Sequence, residues 1–279
     1  MNNQITHARQ TFAAIALTSI LWTAALAATG SSVAMAQEAK TIYYTTNYYH
    51  LDGAKRAEYL DYVKNTSSKY RAAWVKEVPE VRSFTISEVI YGGNPAPAWN
   101  LVITYVTDGP PKGNQAVNDA IFRKATGMRL AEGTAKLNSM WTLVGQVLST
   151  REATEGSATL QAGDIIRTDY MKIADGRTGD YFNTERSDWE PLHAQRIKDG
   201  TMKGWRLTRV RVPGGDRMFD AQSSQIYSNL EQSLANPRYE QLVQKTTPDK
   251  SYATMLNRTQ AARKIIRGEM RRVIFSVSK

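Results

Sequence analysis

Two kinds of hydrophobic spacing alternate along the chain, and they do so in the same order twice. Residues 41–51 are dense in Tyr, Thr and Ile and read as a strand, with 164–173 as their counterpart further on. Turns are expected at Asp52-Gly53 and Asp175-Gly176. Helical spacing follows each turn, marked by Tyr59, Tyr62, Val63, Tyr70 and Trp74 in the first half and by Tyr181, Trp189, Leu192 and Arg196 in the second. Pro191 is expected to kink or restart the second helix. Strand pairs then read at 81–91 with 99–107, and at 203–213 with 219–228. Gly92-Gly93 and Gly214-Gly215 between them read as hairpin turns. Residues 115–127 and 230–246 look helical, and 140–149 and 270–278 alternate as closing strands, a continuing helix being the alternative for both.

Shifting the chain by 122 residues aligns Thr46 with Thr168, Tyr48 with Tyr170, Tyr59 with Tyr181, Ala72 with Ala194, Lys76 with Lys198, the two Gly-Gly pairs, and Tyr105 with Tyr227. These identities are few, so the shared order of elements is the stronger sign. Each half reads β-α-β-β-α-β, the ferredoxin-like order, and the fold class is α+β. The expected boundaries are 37–149 for the first unit, 150–162 for a linker rich in Thr, Ser, Gly and Ala, and 163–279 for the second unit. A lone four-stranded sheet with helices on one side leaves its other face bare, so the two units are expected to cover each other.

Two fused units of this kind resemble the dimeric α+β barrel superfamily, which includes EthD-like proteins, NIPSNAP-like proteins and the antibiotic-biosynthesis monooxygenases. Trp189-Glu190-Pro191-Leu192-His193, with Lys198-Asp199-Gly200 and Gly204-Trp205, is similar to segments of exported bacterial proteins of this type. The resemblance implies an intramolecular barrel. Such barrels host monooxygenases, isomerases, haem-handling proteins and chains without activity, so the resemblance does not choose among functions.

Composition changes the picture at the start of the chain. Residues 1–36 have a polar opening with Arg9, an apolar stretch over 12–28 and a small-residue exit at Ala34-Met35-Ala36. They read as a signal peptide rather than a retained membrane anchor, because Thr18, Ser19 and Thr23 interrupt the apolar run and a cleavage site follows it; the expectation is a mature N-terminus at Gln37, a periplasmic or secreted location and no membrane span in the mature chain. Cysteine is absent, which excludes disulfides and thiolate chemistry. Loss of the signal lowers the net charge of +10 by one. Much of the basic excess lies in 249–279, where Arg263, Arg267 and Arg271 recur every four residues opposite Ala262, Ile266 and Met270, as on a solvated amphipathic helix. That reading makes nucleic acid an unexpected partner.

The usual catalytic signatures are missing: no Gly-x-Ser-x-Gly elbow, His-Glu-x-x-His helix or Walker loop occurs. No metal site is assigned, and the sequence specifies neither a cofactor nor the oligomeric state. Only His50 and His193 lie beyond the signal segment. Glu190 precedes His193 by three residues, so the two can share a helix face. There Glu190 orients or polarises His193 as a general base, or the two ligate a metal, or they are a plain helix-surface pair near a kink. His50 aligns with Lys172, and Asn47 with Asp169, near Tyr48 and Tyr170. These residues either line a pocket on the sheet or reach solvent at strand ends. The candidate site is therefore Glu190, His193 and Trp189, with Tyr170 and His50 as contributors. Two functions fit: binding a small molecule or protein in or around the barrel, or a small-molecule enzyme of the monooxygenase or isomerase kind.

Overall fold

The computed structural model describes residues 40–93, 98–157, 159–213 and 217–279. The expected signal segment, the cleavage point before Gln37 and the Gly214-Gly215 pair lie outside them. The first half runs β1 (Ile42–Leu51), α1 (Arg56–Tyr62), α2 (Ser68–Glu77), β2 (Val81–Tyr91), β3 (Leu101–Asp108), α3 (Gln115–Thr126), α4 (Leu130–Asn138) and β4 (Trp141–Gly156). The second runs β5 (Ile165–Ile173), α5 (Thr178–Thr184), α6 (Glu190–Lys198), β6 (Gly204–Val212), β7 (Ala221–Tyr227), α7 (Leu230–Leu234), α8 (Tyr239–Thr246), α9 (Tyr252–Ala262) and β8 (Arg263–Ser278). A π-helical turn joins α1 to α2 at Val63–Ser67 and another joins α5 to α6 at Glu185–Trp189, 122 residues apart.

The strands close into one antiparallel barrel in the order β1-β3-β2-β8-β5-β7-β6-β4. Each half supplies a ferredoxin-like block, 4-1-3-2 and 8-5-7-6. The halves are sealed edge to edge by β2 with β8 and by β4 with β6. Closure leaves no strand edge unpaired, which removes the open ladder that a separate four-stranded sheet would carry. Strand alternation then sorts side chains into two environments. Outward residues pack beneath the helices, as Phe84, Ile86, Leu101 and Ile103 do in the first half and Trp205, Leu207 and Ala221 in the second. Inward residues face the lumen. One end of the lumen is plugged by Tyr48, Trp99, Val102, Val147, Tyr170, Val210 and Phe219.

Four expectations change. Residues 150–156, read as linker, continue β4 and pair with β6 as far as Gly156↔Gly204, so the connection between halves is shorter. The basic stretch 263–278 is strand β8 rather than a solvated helix; it is paired to β5 along one side and β2 along the other. The strand after Gly92-Gly93, expected from 99, begins at Leu101, and Gly93 holds φ +71. Residues 230–246 form two short helices, broken where Pro237 precedes Arg238 at φ 48. As for Pro191, it sits in the first turn of α6, directly after the π-helical turn, so the regular helix restarts there. Among the described residues no helix is long and apolar enough to cross a membrane.

Candidate functional site

The corresponding positions of the two halves hold different chemistry on the helix-covered face of the sheet. In the first half Val63, Trp74 and Ile103 are buried in a continuous apolar core, with Tyr105 and Trp141 packed against it. Strand registers and the 122-residue offset place Glu185, Arg196, Ser223, Gln225 and Arg263 at those positions in the second half. A cavity of about 400 Å³ opens between the second sheet and α6 to α8, lined by Asp169, Glu185, Trp189, His193, Arg196, Gln225, Tyr239 and Arg263 among others. Its size lies within the range of small-molecule sites.

Glu185 begins the π-helical turn, and its side chain is buried where one extra residue per turn pushes the backbone outward. Burial pushes its carboxyl up to about 7, against the pull of Arg263. The Tyr181 hydroxyl lies against it, buried and without a well-formed hydrogen bond. Asp169, on β5, is also raised by burial, with Arg167 and Arg263 opposing. Arg196 donates to Gln225 Oε1 at 3.2 Å and to the Tyr227 hydroxyl at 3.1 Å, which fixes its guanidinium on the sheet. The Nε atoms of Arg196 and Arg263 are buried with no hydrogen-bond partner. The site thus combines a carboxyl poised near neutrality with guanidinium donors held ready, an arrangement that can seat an acceptor-bearing ligand and exchange one proton with it.

His193 projects from α6 into the same cavity and stacks on Trp205, with ring centroids 4.9 Å apart. Its first-half counterpart Arg71 lies over Phe84, the counterpart of Trp205. Burial, reinforced by Arg196, lowers the His193 imidazole to about 3, so it is neutral at physiological pH, and its Nδ1 has no hydrogen-bond partner. This corrects the expectation of a proton carrier made more basic by Glu190. The Glu190 side chain instead faces Glu155, and burial together with that like charge raises its carboxyl.

Of the five residues expected from sequence, His193 and Trp189 come together at this cavity, Trp189 donating to Thr259 Oγ1 at 2.8 Å. Glu190 points away. Tyr170 lies on the other face of the sheet, in the lumen plug, where it donates to Glu269. His50 is exposed at the end of β1, opposite Thr142. Glu185, Arg196 and Arg263 were not foreseen as site residues. The available signal was the exchange of Val63 and Trp74 for Glu185 and Arg196 on a helix face that must be buried in both halves.

No family model matches the sequence, and no curated protein matches it. Among solved structures, the chain is similar to a provisionally assigned monooxygenase from Lactobacillus acidophilus NCFM, at 12% identity over 86% of this chain and 97% of that one, TM-score 0.52. It is also similar to a provisionally assigned monooxygenase from Fusobacterium nucleatum subsp. nucleatum ATCC 25586, at 9% identity over 87% of this chain and 96% of that one, TM-score 0.55. At such identities the likeness concerns fold alone: this chain has the dimeric α+β barrel fold, with both ferredoxin-like units carried on one polypeptide.

Proposed function

We propose that the protein binds a small molecule in the second-half cavity, and that it does so after export with residues 1–36 removed. The observation that carries the reading is the difference in chemistry between corresponding positions: Val63, Trp74 and Ile103 are apolar in the first half, whereas in the second Glu185, His193, Arg196 and Arg263 converge on one cavity. Keeping buried polar groups short of partners is costly, and a ligand that partners them offsets that cost. Arg196 and Arg263 call for an oxygen-bearing, acceptor-rich group, while Trp189 and Tyr239 at the rim provide aromatic surface. Mass spectrometry of small molecules released from purified protein, compared with an Arg196→Gln variant, tests this. A compound retained by the parent and lost from the variant supports the reading, and equal retention counts against it. The export half is tested by sequencing the N-terminus of secreted or periplasmic material, which should begin at Gln37.

A second reading, a small-molecule enzyme of the monooxygenase or isomerase kind, draws its support from Glu185. A carboxyl near neutrality in a cavity is what proton abstraction or return at a substrate carbon or oxygen requires. In such an enzyme Glu185 moves the proton, Arg196 and Arg263 orient an anionic or carbonyl oxygen, and neutral His193 lends polarity without titrating. The activity assigned to proteins of similar fold fits this reading but does not carry over with the fold. Turnover that persists undiminished in Glu185→Gln would exclude that role.

A further inference from the structure

The barrel lumen is a separate cavity on the opposite face of the sheet. Ser223 and Gln225 of β7 face the helix-side cavity, whereas Gln222 and Ser224 face the lumen. The lumen measures about 400 Å³ and is walled by all eight strands. An eight-stranded barrel is just wide enough for large side chains to fill or, with smaller ones, for one ligand to occupy. Here the wall is made of hydroxyls, among them Thr46, Thr85, Thr104, Thr208, Ser224 and Ser276. Some satisfy each other across strands, Thr46 with Thr104 at 3.2 Å and Thr85 with Ser276 at 2.9 Å. Thr208 Oγ1, in contrast, is buried and has no partner.

The charges on this wall are mostly cationic. Arg206 lies 4.9 Å over the Tyr44 ring, and Arg151 donates to the Tyr44 hydroxyl at 3.1 Å. Among the described residues neither Arg151 nor Arg206 makes an ion pair, whereas Arg82 at the mouth pairs with Asp108. Deeper in, Arg271 donates to Thr168 Oγ1 at 2.7 Å, and its buried Nε, 3.3 Å from a Glu269 oxygen, has no well-formed hydrogen bond. Glu269 is already engaged by Trp99 Nε1 at 3.1 Å and by the Tyr170 hydroxyl. The first half has Val147 and Ser149 where the second has Glu269 and Arg271, so symmetry of the barrel does not explain the buried charge.

We propose that the lumen is a second binding site, for a small hydroxylated organic anion bearing a carboxylate or phosphate. Guanidinium groups without carboxylate partners select an oxyanion, and a wall of hydroxyls, able both to donate and to accept, matches a polyhydroxyl chain. An apolar ligand would leave these groups unpaired, and a cation would meet Arg151, Arg206 and Arg271.

Titration calorimetry on the full chain at pH 7 and low salt, with 6-phosphogluconate, gluconate, glucose and inorganic phosphate, tests the assignment. One or both organic anions should bind, at least tenfold more tightly than glucose, and the preferred one distinguishes phosphate from carboxylate. Arg206→Gln should weaken that binding about tenfold and Thr208→Val several-fold, while Glu185→Gln, in the other cavity, should leave it unchanged. Arg206 is half-buried near the mouth and forms no ion pair, so its loss strands no buried charge and circular dichroism should confirm an intact fold. Absence of binding by both organic anions, insensitivity to both lumen variants, or loss of binding on Glu185→Gln would overturn the proposal. Inorganic phosphate binding as tightly as either organic anion would also overturn it, because the hydroxyl wall would then recognise nothing.

Discussion

Glu185 and His193 occupy one cavity and feel the same burial, yet burial moves them in opposite directions in pH. The Glu185 carboxyl is raised to about 7 from an ordinary 4.5, so between those values the folded state holds a proton that the unfolded chain has released. Its contribution to stability is therefore greatest below pH 4.5 and falls as pH rises through 7. Glu185→Gln should remove that decline and raise the melting temperature at pH 8 by several degrees, a gain on the order of 3 kcal/mol, with little change at pH 4.5. His193 is lowered from 6.5 to about 3, so the unfolded chain binds the extra proton in that window. The stability it provides is complete above pH 6.5 and is lost as pH falls toward 3. A His193→Gln variant should accordingly show a flatter loss of stability between pH 6 and 4, measured by urea unfolding at each pH. A steeper acid slope in that variant would mean that the imidazole is already protonated in the folded protein. Spacing alone pointed to Glu190 as the partner of His193, because residues three apart share a helix face. That rule sets the direction in which a side chain leaves the helix, not what it meets: His193 reaches Trp205 on β6, and Glu190 reaches Glu155 on β4.

At the level of elements, the strands were the most legible part of the sequence. The expected range 81–91 matches β2 at both ends, and 41–51 differs from β1 by one residue, because β-branched and aromatic runs bounded by turn residues have few other ways to bury themselves. The segment 263–278 reads as helical over its first turns because its arginines recur every four residues, a spacing that suits a helix. In the strand the same arginines serve different faces: a bulge between the pairs Tyr170↔Arg267 and Met171↔Ile265 shifts the register, so Arg263 faces the helix-side cavity and Arg271 the lumen. The polar cavities were illegible for a related reason, since they depend on which buried positions carry charge across several strands at once. If β8 holds the barrel closed, a proline within it should be severe. The Val273 amide donates to Asp164 O at 2.8 Å on the β5 side, and its side chain is buried opposite Ser87 of β2. Val273→Pro removes that bond and the local packing, and should cost about 3 kcal/mol or more. Lys279→Ala, beyond the strand, should change stability far less, and comparable losses in the two variants would argue against β8 as a stability-determining strand of the barrel.

For the whole molecule, the barrel ties the two halves into one cooperative unit even though each has its own helix-covered face. Separating them would break two ladders, β2 with β8 and β4 with β6, and expose the lumen walls together with the shared plug of Tyr48, Trp99, Tyr170 and Phe219. Aromatic contacts cross between the halves inside that plug: Tyr48 meets Tyr170 at 6.3 Å and Phe219 at 6.2 Å, and Trp99 meets Tyr170 at 6.1 Å. Neither half can satisfy the backbone groups on its two freed edges alone, so partial unfolding of one half is expected to carry the other with it. Two buried residues at corresponding places make the test: Ile86 on β2 packs in the first-half core, and Leu207 on β6 in the second. Ile86→Ala and Leu207→Ala should each cost about 2–5 kcal/mol and each move a single, shared transition to lower denaturant. Hydrogen exchange read in β1 and in β5 should report the same opening free energy in either variant. Two transitions, each displaced by only one of the substitutions, would show that the halves fold independently and that the seams contribute little.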